Sequence, residues 1–127
     1  MRSTVEAAKI SFQMSKLSPG DIDVAEVHDA FTVCELMAVE DLRIVSKGEG
    51  RSFVKTLYET EDRKINPRGG LIGSGHPLGA TGIAQVIETT QQLQGTAKKR
   101  QIQNAKVGLV HNMSAAATSS TVLILQS

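Results

Sequence analysis

GSGHPLGATGIAQV, residues 73 to 86, sets a histidine and a proline among glycines and then runs straight into apolar residues at helical spacing. Gly73, Gly75 and Gly79 allow positive φ and a close approach of the backbone to a ligand or another segment, while Pro77 stiffens the loop. The start of the helix that follows offers unpaired N–H groups and a partial positive charge to an anion or oxyanion. A neutral imidazole at His76 could accept a proton from a nucleophile there. On these residues alone the plainer reading, a tight turn with His76 as polar filler, stays open.

Working outward, Ile83, Val86, Ile87, Thr90 and Leu93 predict a helix over 81–94 that stops at Gly95. After the basic turn AKKR, the runs KVGLVH and SSTVLILQ read as two buried strands joined by NMSAAAT. Towards the N-terminus, Ser3 and Glu6 fit a capping box, and Val5, Ala8 and Phe12 predict a helix over 3–16 with one buried stripe. DIDVAEVH, with Ile22, Val24 and Val27, reads as a strand ending at His28. Residues 30–42 are apolar on nearly every side, which predicts a helix covered on most faces, with Asp29 as its cap. Residues 47–70 mix Gly48, Gly50, Pro67, Gly69 and Gly70 with many charges and are expected to form an irregular surface loop.

The chain has 127 residues, enough for one domain or part of one. A formal charge of +1 gives no general attraction to nucleic acid or an anionic membrane surface, so neither is expected as a partner. The one cysteine, Cys34, excludes an internal disulfide and falls mid-helix in an apolar pattern, where a thiol is core and inert. No apolar run approaches the roughly 18 residues of a membrane span, and MRSTVEAAK lacks the apolar core of a secretion signal, which leads to the expectation of a cytoplasmic protein. Tyr58 in the loop and the run Lys98, Lys99, Arg100 are read as packing and as a solvated turn.

The 3 histidines all sit where rigid elements hand side chains to a site: His28 and His111 at strand ends, His76 in the glycine loop. Singly each is explained by a hydrogen bond to a neighbouring loop; together they predict one shared pocket. Zinc could in principle take His28, Asp29, His76 and His111, but no pair has the short helical spacing of common sites, so no metal is expected.

NPRGGLIGSGHPLGATG, residues 66–82, resembles the thiolase signature around the family's active-site histidine. HDAF, residues 28–31, resembles the HDCF motif of the sterol-carrier-protein-X and archaeal branches, and GLVHNM with the small residues after it resembles their HN-x-G segment. The three motifs occur in the family's order, and the resemblance covers the whole chain, which corresponds to the C-terminal third or so of an ordinary thiolase. It implies an α/β fold over residues 1–127: a thiolase-like C-terminal half, a layered mixed β-sheet with helices on both faces. It also implies a coenzyme A thioester as substrate, with no tightly bound cofactor. His76 would deprotonate a cysteine nucleophile, His28 would help form the oxyanion hole, and His111 is the candidate for the second acid/base role. Gly75, Asn112, Ser114 and Phe31, within or beside the same motifs, would bind substrate.

Two departures stand out. The family's nucleophile belongs to an N-terminal domain, and nothing in this chain replaces it. Relatives place glycines where this chain has Ala115, Ala116 and Ala117, which resist positive φ; losing one oxyanion donor costs on the order of 10² to 10³ in rate. Residues 81–94 would be a central helix missing its neighbour, so the expectation is an N-terminal-half subunit as partner, or self-association. The leading reading is half of an acyl-coenzyme A C-acyltransferase, inactive alone. The alternatives are a retro-aldol lyase subunit acting on coenzyme A esters and a non-catalytic scaffold with a decayed site.

Overall fold

The computed structural model describes residues 1–60 and 62–127. In chain order it contains α1 (Arg2–Ser15), β1 (Val24–Glu26), α2 (Thr32–Asp41), α3 (Gly50–Thr60), α4 (Gly70–Ser74), α5 (Thr81–Leu93), β2 (Val107–Met113) and β3 (Ser120–Gln126), with short 3₁₀ turns at Pro19–Asp21 and Lys98–Arg100. The sheet order is β1-β2-β3; β1 runs parallel to β2, and β2 pairs antiparallel with β3, with His111 opposite Val122. The sheet is therefore mixed.

Alternation along β2 sorts the two faces. Leu109 packs into the core with Ala8 of α1 and Val122 of β3, and His111 hydrogen-bonds Thr4 of α1, so the odd positions face that side. Gly108 lies against Thr89 and Leu93, and Asn112 bonds Gln85, so the even positions face α5. Helices thus cover both faces, as the α/β reading requires. The apolar core lies on the α1 side, where Ala25, Val27, Ala38, Val39, Leu42, Val54 and Leu57 join Leu109.

Several local expectations are corrected. Ser3 makes no capping box: it lies inside the first turn of α1 and bonds the Ala117 carbonyl at 2.7 Å and the Ser120 hydroxyl at 2.8 Å, so tertiary partners have taken the side chain. The expected loop over 47–70 contains α3, because Val54 and Leu57 reach the core from one helical face and outweigh the charges around them. Asp29 does not cap α2, whose N-cap is Phe31. That helix is not covered on most faces either: Phe31 and Val33 are 69% and 53% exposed, and Cys34 is half-buried rather than core. Of the two strands expected to be buried, β3 is an edge and leaves Leu123 exposed.

The helix that matters most for the site is α5. Its limits agree with the apolar spacing, and Gly95 follows with φ +71. Its polar face is the buried one: Thr81, Gln85, Glu88, Thr89 and Gln92 lie against the sheet, while Ile83 and Ile87 are 64% and 52% exposed, the uncovered apolar surface expected of a central helix missing its neighbour.

The closeness of α5 to β2 is set by Gly108, where a Cβ would stand 2.3 Å from Thr89 Cγ2. Overpacking of this kind typically costs about 1–3 kcal/mol. Gly108→Ala is expected to lower the unfolding free energy by that amount, read as a drop in the urea midpoint, and an unchanged midpoint would mean that the helix rides on the sheet more loosely than described.

Candidate active site

β1 ends at Glu26, and the next residues carry His28 into the interior, 3% exposed. A short segment, residues 66–71, is strapped along this extension. Asn66, itself at φ +50, accepts the Val27 N–H at 2.8 Å through Oδ1 and donates to Glu35 Oε1 through Nδ2. The Arg68 N–H donates to Glu26 Oε1, and the Leu71 N–H donates to Asp29 Oδ1 at 2.8 Å. Gly70 is required here, because it takes φ +62 and a Cβ would stand 1.9 Å from Asp29 Oδ2.

This strap delivers α4 and the glycine loop to His28. Gly75 ends α4 at φ +76, and the His76 ring then meets the His28 ring edge to face, with centroids 4.8 Å apart and planes at 78°. His76 Nδ1 lies 2.8 Å from Thr81 Oγ1 at the start of α5. One turn on, Gln85, fully buried, donates to the His111 carbonyl and accepts from Asn112 Nδ2 at 2.9 Å. One helix therefore holds both walls of the site.

Between the walls is a pocket of about 370 Å³ lined by His28, His76, Leu78, Asn112, Met113 and Ser114, together with residues of the β2–β3 turn. In that turn Ala117 takes φ +51, the conformation its side chain was expected to resist. Its N–H donates to the Ser114 carbonyl at 2.8 Å and its own carbonyl accepts from Ser3, so the residue is held from both sides against a cost of roughly 1–2 kcal/mol.

Of the residues singled out from sequence, His28, His76, Asn112 and Ser114 come together in this pocket. Three do not line it. Gly75 shapes the backbone behind His76, and Phe31 points into solvent at the head of α2. His111 is fully buried on the α1 side, its Nε2 3.1 Å from Thr4 Oγ1, and its Nδ1 accepts the His28 N–H at 3.5 Å. Alternation along β2 turns His111 inward wherever Asn112 faces the pocket, so the shared cavity contains two imidazoles rather than three. Cys34 is not among its lining residues.

Burial is the main influence on the ionisable groups. It lowers the pKa of His28, helped by the neighbouring His76 and opposed by Asp29, and it pushes His111 down to about 4, so both rings are neutral at pH 7. His28 Nδ1 has no hydrogen-bond partner among the described residues. Burial raises Glu26 to about 7 despite the Arg68 N–H and guanidinium beside it. Of the basic run, Arg100 forms a two-pronged ion pair with buried Glu88 under α5. Among the described residues, no cluster of three or more His, Cys, Asp or Glu side chains is placed to hold a metal ion, and no helix is long and apolar enough to cross a membrane.

The sequence reading passed over Thr81, Gln85, Asn66 and the Asp29 strap. A signal existed for the first two: Thr81, Gln85, Glu88 and Gln92 repeat at spacings of four, three and four, as regular as the apolar stripe of the same helix.

Compared with known proteins, the chain matches the family of thiolase C-terminal domain-like proteins over residues 1–127. It is 49% identical over 124 residues to the acetyl-CoA acetyltransferase of Methanothermobacter thermautotrophicus, covering 96% of this chain and 32% of that one. It is also 49% identical over 110 residues to human sterol carrier protein 2, covering 85% of this chain and 20% of that protein. The chain thus spans about a third or less of these relatives. The fold matches a chain of the Ltp2-ChsH2(DUF35) aldolase with a TM-score of 0.83 at 24% identity, over 98% of this chain and 31% of that one.

The raised pKa of Glu26 makes a signed prediction. The unfolded chain loses this proton near 4.5 and the folded chain near 7, so its contribution is present below 4.5 and is lost as pH rises through 7. Glu26→Gln removes that loss. Its stability relative to wild type is expected to climb by about 1.4 kcal/mol per pH unit across this window in urea titrations; a constant difference would refute the shift.

Proposed function

The chain belongs to the thiolase family as its C-terminal domain, and on that premise we propose that it supplies the histidine half of an acyl-coenzyme A C-acyltransferase site. The reading rests on one observation above all: two histidines 48 positions apart in the chain present their rings to each other, 4.8 Å between centroids, at one wall of an open pocket.

In this reading His76 takes the proton of a cysteine thiol brought by an N-terminal half, and the thiolate attacks the thioester carbonyl carbon. The carbonyl oxygen becomes an oxyanion that His28 and His76 help to hold, the carbon–sulfur bond to coenzyme A breaks, and the departing thiolate recovers the proton from His76. Depressed basicity keeps the His28 ring neutral at the wall of the pocket. His111, fully buried with a pKa near 4, fits the role of backing the His28 main chain better than that of handling a substrate proton. Asn112 and Ser114 contribute polar contacts to the substrate.

The missing nucleophile and the bare face of α5 have one remedy. Ile83 and Ile87 are exposed on the helix that holds the site, and the relatives are three to five times as long as the part matched, so the proposed partner is an N-terminal half that covers α5 and brings the cysteine.

Mixing the chain with such a half is expected to give thiolysis of acetoacetyl-coenzyme A that neither shows alone, and His76→Ala is expected to cut the rate by roughly 10² to 10⁴. Activity untouched by His76→Ala would favour the scaffold reading. Free aldehyde or ketone in place of acyl-coenzyme A would turn the assignment to a lyase. No turnover at any ratio of the two halves would contradict the proposal.

A further inference from the structure

We propose that Thr81 is the positioning residue that fixes the tautomer of His76, placing the ring proton on Nδ1 and leaving the lone pair on Nε2. The inference deepens the acyl-transfer reading, in which His76 is the base, but its structural content stands apart from that reading.

Thr81 is 2% exposed, so water does not compete for its hydroxyl. Oγ1 has two neighbours, His76 Nδ1 at 2.8 Å and the Pro77 carbonyl oxygen at 3.3 Å. A hydroxyl has one proton to give, and a carbonyl can only accept. If the hydroxyl donates to Pro77, its lone pair is free for an Nδ1–H, and two hydrogen bonds form in series. If it donates to Nδ1 instead, only one forms, and the bond to Pro77 is forfeited. The Nδ1–H form therefore leads by the hydroxyl's bond to Pro77, a long one on a carbonyl that already accepts two N–H groups, which is a factor of roughly two to five in the tautomer ratio.

The covalent arrangement makes this contact a property of the motif. His76 and Thr81 are five residues apart, and Pro77 lies between them with a carbonyl that also accepts the Ala80 and Thr81 N–H groups at 2.8 and 3.0 Å. The turn thus holds the imidazole, the hydroxyl and the hydroxyl's own acceptor in one rigid loop. Because Thr81 begins the buried polar face of α5, the rotation that buries Gln85 under Asn112 also aims Oγ1 at His76. The ring is anchored at Nδ1, which leaves Nε2 as the nitrogen available to a thiol.

The test is ¹⁵N NMR of the His76 ring in the purified 127-residue chain, in mildly alkaline buffer where imidazoles are neutral. Wild type is expected to show a protonated Nδ1 and an unprotonated Nε2. Thr81→Ser should keep that pattern, because it keeps the hydroxyl. Thr81→Val, close in shape but without a hydroxyl, should lower the Nδ1–H to Nε2–H ratio by roughly two- to fivefold. A wild-type ring protonated mainly on Nε2 overturns the proposal even if the valine variant fails to fold, as does a valine variant with the wild-type ratio. The readout does not involve substrate: absence of turnover with a partner half would defeat the acyl-transfer reading while leaving the ratio as stated.

Discussion

Five polar side chains of α5 lie against the sheet, and the rest of the molecule is arranged to satisfy four of them, while Thr89 packs its methyl on Gly108 and leaves its hydroxyl without a partner among the described residues. Gln85 bonds Asn112 and the His111 carbonyl, Glu88 pairs with Arg100, Gln92 binds the Arg100 carbonyl and the Ile102 N–H, and Thr81 meets His76. A buried polar group left without a partner costs about 1–3 kcal/mol. Turning the helix by even one residue would break several of these bonds at once, so its rotation is fixed more sharply than an apolar face could fix it. Two results follow from one constraint: the walls of the pocket are held in place, and Ile83 and Ile87 are turned outward.

The site is accordingly built from both directions. From the sheet side, Asn66, Arg68, Gly70 and Leu71 tie the segment before the glycine loop to the extension of β1 that carries His28. From the helix side, Thr81 and Gln85 hold His76 and Asn112. The pocket between them offers imidazole, amide and hydroxyl groups but no thiol among its lining residues. That inventory fits a base and oxyanion support awaiting a nucleophile from elsewhere, and the exposed apolar stripe lies on the same helix that organises the support.

Much of the framework was legible in the residues. The limits of α1, α5, β2 and β3 followed from periodicity and from turn residues such as Gly95, and the motifs around His28 and His76 pointed to a family that the comparisons bear out. What escaped depended on tertiary competition for side chains. Ser3 looked like a cap and became a clasp for Ala117 and Ser120, and Asp29 looked like a cap and became a seat for the Leu71 N–H. The uncovered apolar stripe of α5 is what a central helix missing its neighbour implies, but the polar face that holds it to the sheet was not read from the sequence. His111 was placed in the pocket by its position at a strand end, yet the two-residue repeat of β2 gives that place to Asn112.

The central claim is that this chain by itself, with no second half present, holds His28 and His76 against each other. Through-space NMR contacts between the two rings in the isolated chain test it most directly. The 4.8 Å edge-to-face pairing predicts strong cross-peaks between their ring protons. Their absence, in a chain whose β2 and β3 signals show the sheet to be folded, would contradict the account.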